Sequence, residues 1–251
     1  MAKQNGLVKL TGTIGDMTYY RTKDGYMAKE KTSLNAARIA SDPKFKRTRE
    51  NMAEFGNAGK AGKTLRRSIS LVLQNAKDTR MVPRLFKTMT QVIKTDTIDK
   101  RGDRKVAAGD VTLLTNFEFN ANAVLNTTFH APYTFSINRT TGVLSITIPA
   151  FVPFTNIIAP AGATHFKLIS AGTAVDFDKQ QFVSQTAESG VLPLDETATA
   201  NITLTNNVTA GSTLPLFLVL GIQFYQQVNG TQYPLSNGGF NALLVIAVDK
   251  P

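Results

Sequence analysis

One short motif in this chain could support nucleotide chemistry. Gly62-Lys63-Thr64 matches the end of a phosphate-binding loop. The first glycine of that loop should lie at position 57, but Asn57 is there and Gly56 is one position too early. A predicted helix rather than a strand also precedes the motif, so backbone N–H groups would not converge on a phosphate. The sequence therefore argues against nucleotide hydrolysis.

Other residues of catalytic or metal-binding type have simpler explanations. Asp176 and Asp178 flank Phe177, so they could share a strand face and bind a hard cation, but a turn or a solvated surface accounts for them as well. His130 and His165 fit strand edges better than catalysis. The chain has no cysteine, which removes thiolate metal sites. We expect no enzyme activity, no metal and no cofactor.

Basic residues give a stronger functional signal. Several recur at intervals of three and four residues, which places them on one helix face. Such charges can neutralise phosphates without reading a base sequence, although a solvated face or an acidic protein partner explains them too. The candidate residues for binding nucleic acid or an acidic partner are Lys44, Lys46, Arg47, Arg49, Lys60, Lys63, Arg66, Arg67, Arg80 and Arg84.

Charge divides the chain into two parts. Residues 1–108 carry 24 Lys and Arg against 10 Asp and Glu, and residues 109–251 carry 4 against 8. This contrast predicts two domains: a basic N-terminal β-ribbon with helices over 1–108, and an antiparallel β-sandwich over 109–251. A basic part suits a polyanion or an acidic protein as its partner.

Short strands separated by turns are predicted over residues 7–31. Turns are expected at Gly12 to Asp16 and at Asp24-Gly25, the second being a strong hairpin signal. A ribbon of this kind has no second layer of its own to bury its apolar side chains. We therefore interpret it as an assembly element, and its candidate contact residues are Leu7, Leu10, Ile14, Tyr19, Tyr20 and Tyr26.

Three helices are predicted next. Asp42-Pro43 resembles an N-cap and first helical position, and that helix is expected to end at Gly56. The Gly-rich residues 56–64 are interpreted as a flexible joint before a second helix. Asp78 is expected to cap a third helix with Pro83 in its first turn. The apolar face of this third helix comprises Met81, Leu85, Met89 and Val92.

Apolar residues alternate with period two from about residue 110 onward, which predicts eight to ten strands in a sandwich. Turn signals separate them, at 138–142, Pro160-Ala-Gly162, Asn229-Gly230 and Asn237-Gly-Gly239. The predicted fold class is α+β: an N-terminal β-ribbon and a small helical region, followed by an antiparallel immunoglobulin-like β-sandwich.

The chain also resembles a protein family over most of its length, most specifically in residues 6–63. The residues that carry the resemblance are Gly12-Thr-Ile-Gly15, Tyr19-Tyr20, Asp24-Gly25-Tyr26, Arg47-Thr-Arg-Glu-Asn51, Glu54-Phe-Gly56 and the Ala-Gly-Lys-Ala-Gly-Lys stretch that follows. They are similar to a Bacteroidota family of unknown function with a Gly-x-Ile-Gly signature, a helical middle and an immunoglobulin-like C-terminal domain. The resemblance implies that architecture and no catalytic residues.

Two functions remain open from the sequence. The first is a non-enzymatic structural subunit of a self-assembling filament, tube or phage-like shell, whose copies exchange strands through the N-terminal ribbon. The alternative is a nucleic-acid-binding protein that uses the basic helical face. We expect a homo-oligomer, with nucleic acid as a second candidate partner, and no membrane. No signal peptide is recognised, so the expected site of synthesis is the cytoplasm, with an assembled extracellular or phage-like particle as a final location.

Overall fold

The computed structural model describes residues 1–31, 36–235 and 239–251. The chain divides into two units, Met1–Arg49 and Glu50–Pro251. The predicted boundary at 108/109 is therefore not where the structure divides. The physical reason is that the helices after residue 50 share a hydrophobic core with the C-terminal strands, so the charge contrast does not follow the packing.

The first unit is a small antiparallel sheet followed by short helices. Its four strands lie in the order β1-β4-β3-β2. The elements are β1 (Ala2–Lys3), β2 (Gly12–Ile14), β3 (Met17–Thr22), β4 (Gly25–Glu30), α1 (Ala36–Ser41) and a 3-10 turn (Pro43–Phe45) that leads into α2 (Lys46–Ser68).

Turn chemistry shapes this sheet nearly as predicted. β3 and β4 form the expected hairpin, with Thr22 paired to Gly25. The connecting residues are Lys23 and Asp24, one position earlier than expected, and the positive φ of 116° falls on Gly25. The other turn is confined to Gly15 and Asp16, because Gly12 already begins β2. Glycine at positive φ avoids the clash that a Cβ would cause.

The second unit contains the remaining helices and strands. Its helices after α2 are α3 (Ser70–Leu73), α4 (Met81–Lys94), α5 (Leu125–Thr128) and α6 (Pro153–Asn156). Its strands are β5 (Thr134–Asn138), β6 (Val143–Ile148), β7 (His165–Asp176), β8 (Gln181–Glu188), β9 (Leu192–Pro193), β10 (Ile202–Asn207), β11 (Leu216–Val228), β12 (Thr231–Pro234) and β13 (Ala242–Asp249).

Two antiparallel sheets organise this second unit. A six-stranded sheet places β7 beside β11, with β13 and β12 on the far side of β11 and β8 and β9 on the far side of β7. A three-stranded sheet has the order β10-β6-β5. The fold is thus a mixture of helices and antiparallel sheets, as the α+β prediction required. The predicted turn at Asn237 and Gly238 lies outside the described residues.

The central strands of the six-stranded sheet are buried on both faces. Along β11, Phe217 and Val219 point to the core formed with α2, α3 and α4. The alternate residues Leu218 and Leu220 point to a second core shared with the three-stranded sheet. Strands that are covered on both sides have continuous apolar sequences, which explains the unbroken run from Leu216 to Ile222.

The Gly-rich segment is not a joint. Helix α2 is continuous from Lys46 to Ser68 and includes Gly56, Gly59 and Gly62. Gly62 lies where an added Cβ would be 3.7 Å from the Cγ of Met89 on α4. Packing against α4 therefore outweighs the weak helix propensity of glycine. The prediction of a helix end at Gly56 was wrong.

The predicted apolar face of α4 and the position of Pro83 were correct, but the predicted cap was not: the N-cap is Arg80, and Asp78 accepts from the Arg80 N–H just before the helix. Met81, Leu85, Met89 and Val92 are all buried, and Pro83 lies in the first turn, where its missing N–H costs little. The strong 3.6-residue periodicity of this segment identified it.

Candidate functional site: a basic groove and an exposed ribbon

A groove lined by cations runs along the end of α2 and over α3. We call it the basic groove. Its volume is about 420 Å³. Its lining residues are Lys63, Arg66, Arg67, Ser70, Leu73, Gln74 and Lys77.

Helix amphipathicity explains why these cations point outward. Leu65 and Ile69 are fully buried against α4 and the sheet, so the opposite side of α2 faces solvent. The Nε of Arg66 donates a hydrogen bond of 3.2 Å to the carbonyl oxygen of Gly62, which fixes the side chain along the helix.

The charges of the basic groove are not neutralised within the described chain. No ion pair links Lys63, Arg66, Arg67 or Lys77 to any described carboxylate. No Asp or Glu is among the lining residues. A concave surface with this charge is suited to an anionic ligand.

The sequence identified three of the four cations. Lys77 was missed because it follows α3, after the regular spacing of α2 has ended at Ser68. Lys60, which was predicted to belong to the same face, instead lines a separate pocket of about 230 Å³ with Asn57 and Lys105.

Arg84 was predicted as a binding residue but is held by its own chain. Its guanidinium donates to the carboxylate of Asp78 and to the carbonyl oxygens of Glu118 and Phe119. Burial raises the pKa of Asp78, but the N–H of Ala121 and the Arg84 guanidinium outweigh it and hold that pKa below its usual value. Arg84 therefore joins α4 to the segment at Glu118 and Phe119 that pairs with β13, and it is not free to bind phosphate. Arg80 is exposed at the start of α4.

Four predicted cations belong to the first unit. Lys44, Lys46 and Arg47 are exposed around the start of α2. Arg49 donates to the carbonyl oxygens of Ile39 and Asp42. Arg49 thus has a structural role in ending α1 and positioning the 3-10 turn.

The predicted assembly residues are distributed over the ribbon, but Leu7 and Leu10 lie in the loop between β1 and β2, where a strand was predicted. Cross-strand register places Ile14, Tyr19 and Tyr26 on one face of the sheet and Tyr20 on the other. Arg21 lies over the Tyr26 ring at 5.6 Å, and Lys29 over the Tyr20 ring at 5.7 Å.

Several apolar side chains of the ribbon are unpacked. Leu7 is 104% exposed and Ile14 is 60% exposed, and Val8 and Leu10 are exposed as well. Ala28 is the only buried hydrophobic residue of the described part of this unit. The ribbon therefore leaves much of its apolar surface in water.

Glu118 is a perturbed carboxyl that the sequence analysis did not identify. Its Oε1 accepts a hydrogen bond of 3.0 Å from the N–H of Leu125, while its buried Oε2 has no hydrogen-bond partner among the described residues. Burial raises its pKa to about 7, against the opposing effects of Leu125 N–H and Arg84. Burial and the Glu118 charge also raise the pKa of Tyr133. A Phe-Glu-Phe sequence alone carries no sign of this burial.

The candidates for chemistry occupy structural positions. Gly62-Lys63-Thr64 lies within α2, where no N–H groups converge on a ligand. Asp176 ends β7 and accepts hydrogen bonds from the N–H groups of Asp178 and Lys179, which forms a turn. The His165 ring contacts the Thr164 hydroxyl at 2.9 Å, and His130 is exposed. Within residues 1–31, 36–235 and 239–251, no cluster of three or more His, Cys, Asp or Glu could hold a metal.

Comparison with known proteins gives little information. No family and no curated protein matches the chain. Among solved structures, the chain is similar to one titled "pH-induced modulation of Streptococcus parasanguinis adhesion by Fap1 fimbriae", at 12% identity, with 45% of this chain and 78% of that chain covered and a TM-score of 0.22. A TM-score this low supports neither a fold nor a function. In the part of the chain that the structure describes, no helix is long and apolar enough to cross a membrane.

Proposed function

We propose that this protein is a non-enzymatic structural subunit that assembles into a filament, tube or phage-like shell through its N-terminal ribbon. The observation that carries the proposal is the ribbon's exposed apolar surface, which includes Leu7, Val8, Leu10 and Ile14. Burying one such side chain stabilises a contact by about 1.5–3 kcal/mol. A second copy that covered this surface would gain several such contributions.

The edges of the ribbon add a directional contribution. Its outer strands β1 and β2 pair only with Met27–Ala28 of β4 and Met17–Tyr19 of β3. The remaining edge of β3 and β4 is not covered by these short strands, and an unpaired strand edge presents N–H and C=O groups to a further strand. Strand addition from a second copy would satisfy these groups and fix the orientation of the contact.

Net charge does not attract the two structural units of neighbouring copies to each other. Residues 1–49 carry 11 Lys and Arg against 4 Asp and Glu, and residues 50–251 carry 17 against 14. Both structural units are therefore net positive, so attraction between a basic unit and an acidic unit does not drive the assembly. The proposal depends on apolar burial and strand pairing.

Assembly can be tested by replacing Leu7 and Leu10 together with Asp. We expect the wild-type protein to form particles far larger than one chain of 27.2 kDa in light scattering and negative-stain microscopy. The double variant should remain small, because two charges in the contact would have to lose their hydration.

Ile98→Asp is the matched control, since Ile98 is 81% exposed and lies in the second unit. This variant should assemble like the wild type. A wild-type protein that stays a single chain at high concentration contradicts the proposal.

A nucleic-acid-binding protein is the second candidate, because the basic groove holds four cations without ion pairs to described residues. Binding should appear as an oligonucleotide mobility shift that weakens as salt rises.

The immunoglobulin-like form of the C-terminal sandwich and the resemblance to the Bacteroidota family stay predictions. The two antiparallel sheets that enclose one core support the first of these.

A further inference from the structure

We propose that the basic groove binds the phosphate backbone of a nucleic acid without reading its base sequence. This inference rests on the second candidate function and names its site. The groove lies entirely in the second unit and is distinct from the ribbon that carries the assembly proposal.

The basic groove concentrates positive charge that no described carboxylate neutralises. Lys63, Arg66, Arg67 and Lys77 line one concavity of about 420 Å³, and none of them forms an ion pair with a described residue. Bringing four like charges together without counter-charges costs free energy, which a bound polyanion recovers. The four cations in turn replace counterions condensed on the polyanion, and the release of these counterions favours binding. The surface is therefore better matched to a polyanion than to a neutral ligand.

The spacing of the cations along α2 is close to that of phosphates along a nucleic-acid strand. Lys63 and Arg67 are one helical turn apart on α2, about 6 Å along the axis at about 1.5 Å per residue. One nucleic-acid strand carries a charge about every 3.4 Å, so these two cations span about two phosphates. The guanidinium groups of Arg66 and Arg67 offer the forked donors that bind phosphate oxygens.

The uncharged residues that line the basic groove indicate whether a bound strand is recognised by its bases or by its phosphates. Ser70 and Gln74 add neutral hydrogen-bond donors, and Leu73 is the single apolar member of the lining. No aromatic side chain is present there on which a base could stack. Contacts to phosphate position a strand but do not distinguish bases, so binding should be independent of sequence.

Other anionic partners fit the groove less well. A second copy of this chain is net positive in both of its structural units, so its overall charge opposes docking in the basic groove. A bilayer surface is broad and flat, whereas these cations line one concavity of about 420 Å³. These comparisons favour a nucleic-acid strand.

The test measures the affinity of the full-length protein for a fluorescein-labelled single strand of mixed sequence and about 12 nucleotides, within the range that such grooves cover. Anisotropy titrations run from about 50 to 200 mM salt. If four cations engage phosphates, log Kobs against log salt should have a slope of about −3. A strand of different base sequence should bind equally well.

Two sets of variants assign the binding to the groove. Arg66→Glu with Arg67→Glu should weaken binding more than about 10-fold at low salt and reduce the slope by more than about 1, and the milder Lys63→Gln with Lys77→Gln should act in the same direction. Lys87→Glu with Lys94→Glu is the matched control, because both residues are exposed on α4 outside the groove. Thermal unfolding confirms that each variant folds.

Binding at the basic groove, nucleic-acid binding elsewhere on the protein and assembly through the ribbon give different results in these experiments. If the wild type binds the strand but groove and control variants weaken binding equally, the groove assignment is overturned and the second candidate stands. If the wild type binds no strand, or binds phosphatidylserine vesicles instead, both fail. The assembly proposal is unaffected in each case, because the ribbon variants test it.

Discussion

The Glu118 carboxyl lies where an ionised group is poorly solvated. The backbone around it adds to the edge of β13: the N–H of Phe119 donates to Leu243, and the N–H of Val245 donates to Phe117. This pairing holds Glu118 beside Leu244, facing Leu125 and Tyr133. The pairing is between residues more than a hundred positions apart, and for that reason the sequence did not reveal the perturbed carboxyl.

Replacing Glu118 with Gln should remove a pH-dependent destabilisation. The folded pKa is about 7 and the reference value is 4.5. Between these values the unfolded chain has released the proton that the folded protein retains, so stability falls as pH rises through this window and is level above about 7. We expect Glu118→Gln to be more stable than the wild type at pH 8 by about 1–2 kcal/mol, after allowance for solvent screening.

Urea denaturation at pH 5 and pH 8 measures this effect. The amide oxygen of Gln can still accept from Leu125 N–H, so the local hydrogen bond is kept. Glu196→Gln is the control, because Glu196 is exposed and its variant should have the same pH dependence as the wild type. Equal stability differences at both pH values would contradict the assigned environment of Glu118.

At the scale of elements, local signals predicted some features well and others badly. The β3–β4 hairpin and α4 were predicted because turn residues and strong periodicity act within a few positions. Helix α2 was misjudged because its glycines looked like a linker, while the contacts with Leu85 and Met89 that hold Gly62 in the helix come from another element. The basic groove was found only in part for the same reason, since Lys77 joins it after a break in the helix.

Gly59→Ala tests whether the Gly-rich segment is a helix in solution. An added Cβ would meet only the Phe86 ring, at 3.9 Å, so the substitution should fit. In a helix interior it should stabilise the protein by about 0.5–1 kcal/mol and raise Tm by about 1–4 °C.

Gly109→Ala provides the opposite result for comparison. Its Cβ would lie 2.3 Å from the carbonyl oxygen of Val92, and the protein should lose about 1–3 kcal/mol. Differential scanning calorimetry of both variants gives the values. A flexible joint at residues 56–64 would instead leave Tm unchanged in Gly59→Ala.

At the scale of the whole molecule, packing and charge define different divisions of the chain. The charge contrast at residue 108 separates β1–β4 and α1–α4 from α5, α6 and β5–β13. One hydrophobic core extends across that division, because Leu65, Leu85 and Met89 from the helices pack with Phe217 and with β13. Charge patterning reports on solubility and partners rather than on folds, so the sequence could not place the boundary.

Two fragments distinguish these divisions. Residues 50–251 retain both hydrophobic cores and should unfold in one cooperative transition by circular dichroism. Residues 109–251 lack the helices that cover one face of the six-stranded sheet, so Ile169, Phe217 and Leu243 would be exposed to water. We expect this shorter fragment to aggregate or to lose its transition, because contiguous exposed apolar surface promotes association. A soluble, cooperatively folded 109–251 fragment would restore the boundary that the charge pattern predicted.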